Sequence, residues 1–166
     1  LMSGLSGTGK TTVAKQLARK IGAIHVRSDA VRKHLAGVPL TQRGDKELYA
    51  PEMTQKTYHR LLELGIMLAN QGYPVILDAK YDRKVWREPA IALAQSHHLP
   101  LRILHCTAPV EVLRDRLVQR TRDISDATPD LLAQQQATAE PFTEAELPYV
   151  TTIDTTQANW LEQLGN

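Results

Sequence analysis

Eight residues close to the start of the chain, Gly4-Leu5-Ser6-Gly7-Thr8-Gly9-Lys10-Thr11, satisfy the pattern G-x-x-x-x-G-K-[ST] at every defined position. No other stretch narrows the choice of fold as much, because the pattern works only at a corner where a strand turns into a helix. Glycines let consecutive N–H groups point inward without a Cβ clash, and the helix contributes the positive end of its dipole. The flanking residues suit both halves of that corner. Leu1-Met2 reads as the remnant of a buried strand, and Val13, Leu17 and Ile21 follow at helical spacing. The ligand expected of such a corner is a polyphosphate. Gly4, Leu5, Ser6, Gly7, Thr8 and Gly9 line the cradle, Lys10 reaches the β- and γ-phosphates, and Thr11 offers its hydroxyl to Mg²⁺. Thr12 packs, caps or touches the α-phosphate.

Downstream, apolar runs alternate with helical periods, the pattern of a parallel sheet with crossover helices. Helices are expected near Lys10 to Lys20, from Ser28-Asp29 through Leu35 with Gly37 as the stop, from Pro51 to Gln71, from Arg83 to His97, and from Pro109 and Glu111 to about Arg122. Ala23 to Val26, Val75-Ile76-Leu77, Leu101 to His105 and Tyr149 to Ile153 read as strands. Residues 37–50 read as a loop, 123–129 as an exposed loop, and Leu131 to Glu140 as a short polar helix. Trp160, Leu161 and Leu164 are expected on a closing helix. The predicted fold is a three-layer α/β/α sandwich around a five-stranded parallel sheet, forming one domain over residues 1–166 with a lid at about 121–140.

Strand ends then gain meaning, since ligands of open α/β sheets bind outside the carboxyl ends of the strands. Asp29 stands just past the second strand, where a carboxylate can orient an acceptor hydroxyl, take its proton or hold Mg²⁺ through water; Ser28 or Asp29 also suits an N-cap. Asp78 ends the run Val75-Ile76-Leu77 and is the candidate second holder of the metal, or a tie for the following turn. Arg114, Arg116, Arg120 and Arg122 crowd one helix. Arg116 and Arg120 share a face at i, i+4, a repulsive spacing in an isolated helix that an anion between them would relieve. The blander alternative is a solvated basic face balanced by Glu111 and Asp115. Lys10, Asp29, Arg116 and Arg120 are thus the catalytic candidates.

Composition excludes other chemistries. With 166 residues, 42% apolar and 23% charged, the chain is long enough for one real core. A formal charge of +2 leaves no broad nucleic-acid footprint, so a nucleic acid is the disfavoured partner and a small-molecule acceptor the expected one. Cys106 is the single cysteine, which rules out an internal disulfide and a Cys-rich zinc site. No apolar run is long enough to span a membrane. A cytoplasmic location is the expectation. His25, His34, His59, His97, His98 and His105 show no metal-ligand spacing and are assigned no chemistry. H-E-x-x-H, G-x-S-x-G and an N-K-x-D-like guanine reader are all missing from the sequence.

Taken together, Gly4 to Thr11, Ser28-Asp29 with Arg32, Leu77-Asp78-Ala79 and an arginine helix running into a lid resemble the small P-loop kinases. The sequence looks most like the kinases of the zeta-toxin and polynucleotide-kinase-like group, in particular a kinase domain found fused to aminoglycoside-phosphotransferase-like domains. Ser28-Asp29-Ala30-Val31-Arg32-Lys33, Tyr49-Ala50-Pro51-Glu52, Leu77-Asp78-Ala79 and Asp126-Ala127 have counterparts there. The resemblance implies that Lys10 and Thr11 bind ATP–Mg²⁺, that Asp29 is the acceptor-side base, and that Arg116 or Arg120 belongs to the lid. It also implies that this chain is part of a longer polypeptide with upstream strand residues. Lys80-Tyr81 departs from the group's pattern, which has a small hydroxyl residue after Asp-Ala, so the acceptor is left open. With Asp29 and Arg32, Lys80 and Tyr81 make the candidate acceptor-side set. Gly4-Leu5-Ser6-Gly7 and the Asp29–Arg32 spacing also resemble adenylylsulfate kinases, whose second half this chain does not match.

Two functions of different class follow. One is an ATP-dependent phosphotransferase with a hydroxyl acceptor, its pocket covered by residues 37–50 and by the start of the long helix with Tyr49, Tyr58 and His59. Tyr58 and His59 equally suit a plain helix surface. The other is an ATP-binding regulatory module without an acceptor.

Overall fold

A computed structural model describes residues 1–119 and 130–164. The expected α/β sandwich is present. Its strands are β1 (Met2–Ser3), β2 (Ile24–Arg27), β3 (Val75–Asp78), β4 (Ile103–Thr107) and β5 (Val150–Asp154). They form one sheet in the order β2-β3-β1-β4-β5, with every pairing parallel. Parallel neighbours need crossovers, and the helices supply them: α1 (Lys10–Ile21), α2 (Ser28–Leu35), α3 (Pro51–Asn70), α4 (Lys84–Ser96) and α5 (Val110–Val118), with α6 (Asp130–Thr138) beyond.

Side-chain alternation along the strands divides the core between the two faces. Met2, Ile76, Leu104, Cys106 and Ile153 pack with Val13, Ala14 and Ala18 of α1 and with Trp160. On the other face Leu77 and Ala79 meet Val31 of α2, Tyr58 and Leu61 of α3, and Ala90 of α4. The neighbours Ile76 and Leu77 thus serve opposite layers, which is why a continuous apolar run is needed there. A third cluster joins Leu113 and Leu117 of α5 to Leu132 of α6, with Leu5 of the glycine loop against it.

Several local expectations shift. β2 includes Arg27, which pairs in register with Asp78. The loop 37–50 contains a single 3₁₀ turn, Glu47–Tyr49. The closing helix is replaced by turns and a 3₁₀ turn at Glu162–Leu164, because Trp160 is held in the core by packing rather than by helical repeat. α5 is described to Val118, so Arg120, Arg122 and the expected loop 123–129 lie outside the described residues. Among the described residues no helix is long and apolar enough to cross a membrane.

Candidate functional site

The parallel register brings Met2, Asp78 and Arg27 into one row across three strands. The residues just beyond that row, Ser3-Gly4, Ala79-Lys80 and Ser28-Asp29, form the carboxyl-end crevice where open α/β sheets bind ligands.

The glycine loop crosses this crevice as a strand-to-helix corner. Gly4 sits at φ 129° and Gly7 at φ 86°, backbone that a side chain would strain. Space forbids one as well. A Cβ on Gly4 would collide with the Cys106 carbonyl, and one on Gly7 would stand 2.8 Å from the Leu113 carbonyl oxygen. The loop is pinned from below by Gly4 N–H donating to the Lys80 carbonyl (2.9 Å) and by Thr8 Oγ1 donating to the Leu5 carbonyl (2.8 Å).

Lys10 opens α1 and folds its ammonium back over the loop, donating to the Leu5 carbonyl at 2.7 Å. Burial pulls its pKa down, and Asp78 and Asp29 act against that shift. Thr11 donates its hydroxyl to Asp78 Oδ2 at 2.8 Å. Thr12 is exposed on the first turn of α1.

Asp78 is 4% exposed, and burial alone would raise its pKa. The hydrogen bond from His25, the charge of Lys10 and the bond from Thr11 outweigh burial and hold it below the ordinary carboxylate range. A buried carboxylate kept ionised beside a threonine hydroxyl is a hard oxygen pair of the kind Mg²⁺ takes, with phosphate oxygens and water completing its shell. Among the described residues no three of His, Cys, Asp and Glu gather to hold a metal alone. The residues therefore fit a cation delivered with a polyphosphate.

Asp29 lies in the first turn of α2. Burial lowers the pKa of both Lys10 and Arg32, and the negative charge of Asp29 acts against that shift in each.

The other expected site residues take different places. Arg116 is held against the glycine loop. Its Nη1 donates to Thr155 Oγ1 (2.9 Å) and the Gly7 carbonyl (3.3 Å), and its Nη2 to the Thr155 carbonyl (3.0 Å). It ties the loop to the residue that follows β5, because a guanidinium can bridge several acceptors at once. Arg32 is buried and donates to the Leu48 carbonyl and Thr54 Oγ1, with its guanidinium over the Tyr49 ring, so it shapes the 37–50 segment. Tyr81 points into the core, fully buried, at an unusual φ of 41°, with its ring edge-on to Tyr58. Strain of that kind costs about 1–3 kcal/mol and persists only where surroundings impose it. Ser3 Oγ and Arg87 Nη1 both bond the Tyr81 carbonyl. Lys80 pairs with Asp82 at 3.1 Å at the crevice edge. Tyr58 is a core residue stacked on Trp86, whereas His59 is exposed and paired with Glu63.

Sequence reasoning missed four residues here: His25, Asp82, Gln135 and Thr155. Gln135 of α6 accepts a hydrogen bond from Ser6 N–H at 3.0 Å, so α6 rests on the glycine loop. Beneath it is a cavity of about 320 Å³, walled by Gly4, Leu5, Asp82, His105, Glu140 and Phe142 among others. Strand alternation could have paired His25 with Arg27 on one face of β2, but nothing local marks Gln135, which touches its partner 129 positions away in the chain.

Residues 1–142 match the AAA domain family. The chain is 34% identical over 137 residues to the uncharacterized protein Rv2004c of Mycobacterium tuberculosis (strain ATCC 25618 / H37Rv), covering 80% of this chain and 28% of that protein. The uncharacterized protein Mb2027c of Mycobacterium bovis matches to the same extent. The chain therefore spans 28% of the length of these relatives. Among solved structures it is similar to an unliganded sugar kinase from Janibacter sp. HTCC2649, with 24% identity, a TM-score of 0.70, and 98% of this chain and 89% of that one covered. It is also similar to the Mycobacterium tuberculosis APS kinase CysC in complex with AMPPNP and APS, with 18% identity, a TM-score of 0.68, and 98% and 91% covered. At these identities the structural likenesses establish the shared fold.

Proposed function

The chain belongs to the AAA domain family, and from that premise we propose that it is an ATP-dependent phosphotransferase, a small P-loop kinase that moves the γ-phosphate of ATP–Mg²⁺ to the hydroxyl of a compact acceptor. The observation that carries this reading is the meeting of Lys10 and Thr11 of α1 with Asp78 of β3 beside the glycine loop, with the charge of Asp29 bearing on Lys10. A nucleotide-binding module alone needs no carboxylate on the acceptor side; a transferase does.

The backbone amides of the glycine loop and the Lys10 ammonium would grip the β- and γ-phosphates. Thr11 and Asp78 would hold Mg²⁺, which neutralises charge on the transferred group when bound. Asp29 would take the proton of the attacking hydroxyl, and the oxygen–phosphorus bond to ADP would break as the new one forms. Arg116, tied to Gly7 and Thr155, keeps the loop rigid on the side where the nucleoside would leave the phosphates.

The acceptor class is read from charge: a net charge of only +2 favours a small hydroxyl compound over a long nucleic acid. Within the P-loop kinases we place the chain in the zeta-toxin-like group, on Ser28-Asp29 with Arg32 and Leu77-Asp78-Ala79.

The test is a screen of hydroxyl compounds, sugars and polyols first, with γ-labelled ATP and Mg²⁺. Label should move to one compound class, and the transfer should vanish in Lys10→Ala. Brisk ATP hydrolysis with no labelled product from any acceptor would reject the transferase reading.

A further inference from the structure

We propose that His25 positions Asp78 for its metal: it fixes one carboxylate oxygen by hydrogen bonding and so leaves the other turned to the cation. The inference rests on the nucleotide–Mg²⁺ reading of the site, and it assigns work to a residue that neither the glycine motif nor the acceptor candidates include.

Asp78 receives Thr11 Oγ1 at 2.8 Å, His25 Nε2 at 3.0 Å and Arg27 Nε at 3.8 Å, and every one of these contacts falls on Oδ2. None falls on Oδ1. A carboxylate used only to tie down its turn would spread its donors over both oxygens, since each has lone pairs to satisfy. Crowding three groups on one oxygen fixes the plane of the carboxylate and keeps the second oxygen available.

His25 is suited to this by placement. It stands on the edge strand β2, in register with Ile76, and shares a face with Arg27, which is in register with Asp78. Its side chain is 14% exposed, so the bond is shielded from water and geometrically fixed. Because an ionised carboxylate only accepts, the proton of this bond belongs to Nε2. The bond orients the carboxylate just as outer partners orient metal ligands elsewhere, and losing such a partner typically weakens the metal by about 10–100-fold.

The test measures ATP affinity of the chain by calorimetry in EDTA and over a range of Mg²⁺ concentrations, for wild type, His25→Ala and His25→Gln. Wild type should bind ATP and gain affinity with Mg²⁺. His25→Ala should keep its metal-free affinity within about twofold and need roughly tenfold more Mg²⁺ for the same gain. Glutamine can place an N–H near the same oxygen, so His25→Gln should recover most of that loss. In the ligand-free protein, ¹⁵N shifts of the imidazole should report the Nε2–H tautomer. An unchanged Mg²⁺ requirement in His25→Ala overturns the proposal. So does an equal loss with and without metal that glutamine fails to rescue, or an Nδ1–H tautomer. A wild-type protein that binds no ATP under any condition overturns the nucleotide reading, and this proposal with it.

Discussion

Arg87 and Glu146 form a two-pronged ion pair inside the protein, with Nε 2.6 Å from Oε1 and Nη2 3.1 Å from Oε2 and side chains only 1% and 3% exposed. The same guanidinium donates to the carbonyls of Glu140 and Pro141 and lies over the Phe142 ring. The pair therefore ties α4 to the segment that leaves α6. Removing one partner strands a buried charge, at a cost of about 3–5 kcal/mol. The hydrogen bond from Arg87 is the largest of the influences that hold the Glu146 pKa below its ordinary value. A depressed carboxyl pKa stabilises the fold above the unfolded pKa, and that contribution is lost as pH falls through the folded value. Glu146→Gln should thus lower Tm markedly at pH 7, and the gap to wild type should close below about pH 4. Calorimetric melts across that range check it; a gap that is constant or widens in acid would contradict the pairing.

Lys10→Ala removes the ammonium that folds over the glycine loop. Its desolvation in the free protein is a cost that a bound polyphosphate would offset, so the residue is tuned for an anion rather than for stability. ATP affinity should fall by about 100-fold while Tm stays level or rises. Equilibrium binding and melting on the same sample separate the two effects, and a parallel loss of both would assign Lys10 to the core instead.

Asp29→Asn keeps shape and removes the base. Phosphoryl transfer to the acceptor should drop about 10²–10⁴-fold with ATP binding nearly unchanged. Single-turnover rates with the acceptor found in the screen read this directly. Transfer at the wild-type rate would reduce Asp29 to a helix-terminal residue.

Arg116→Ala should weaken ATP binding by about tenfold, from loss of charge-assisted bonds to Gly7 and Thr155 that are each worth about 1.5–3 kcal/mol in part. Arg116→Lys should not restore it, because one ammonium cannot reach both the Gly7 and the Thr155 carbonyls in the same geometry. Recovery by lysine would mean that only charge matters, as in a direct phosphate contact.

The sheet, its crossover helices and the glycine corner were legible because each rests on short-range chemistry. Val75-Ile76-Leu77 must be buried on both faces, and Gly4 to Thr11 needs a strand before it and a helix after it. Asp78 was legible for the same reason, as the first charge after an apolar run. Tyr81 and Arg116 were not. Whether Tyr81 faces a ligand or the core depends on Tyr58 and Ser3, far away in sequence, and the partner that claims Arg116 is Thr155, 39 positions on. Helical spacing puts Arg116 on a face but does not say what that face meets. His25 escaped notice because its significance depends on a neighbour strand 53 positions away, where no i, i+4 rule applies.

Gln135 gives the last expectation. The N–H of Ser6 belongs to the loop that would hold the γ-phosphate, and it donates instead to the Gln135 carboxamide on α6. That bond anchors α6, whose only buried apolar anchor in the described cluster is Leu132 against Leu113 and Leu117. Gln135→Ala removes about 1 kcal/mol from the anchored state, which corresponds to roughly fivefold faster amide exchange over residues 130–138. ATP should produce a change in the same segment of the wild type, since a phosphate oxygen and the carboxamide compete for one amide, and should produce a smaller change in Gln135→Ala. Hydrogen exchange read by mass spectrometry on peptides covering α6 decides it. Equal exchange in the two proteins without nucleotide would mean that α6 is held by apolar packing alone.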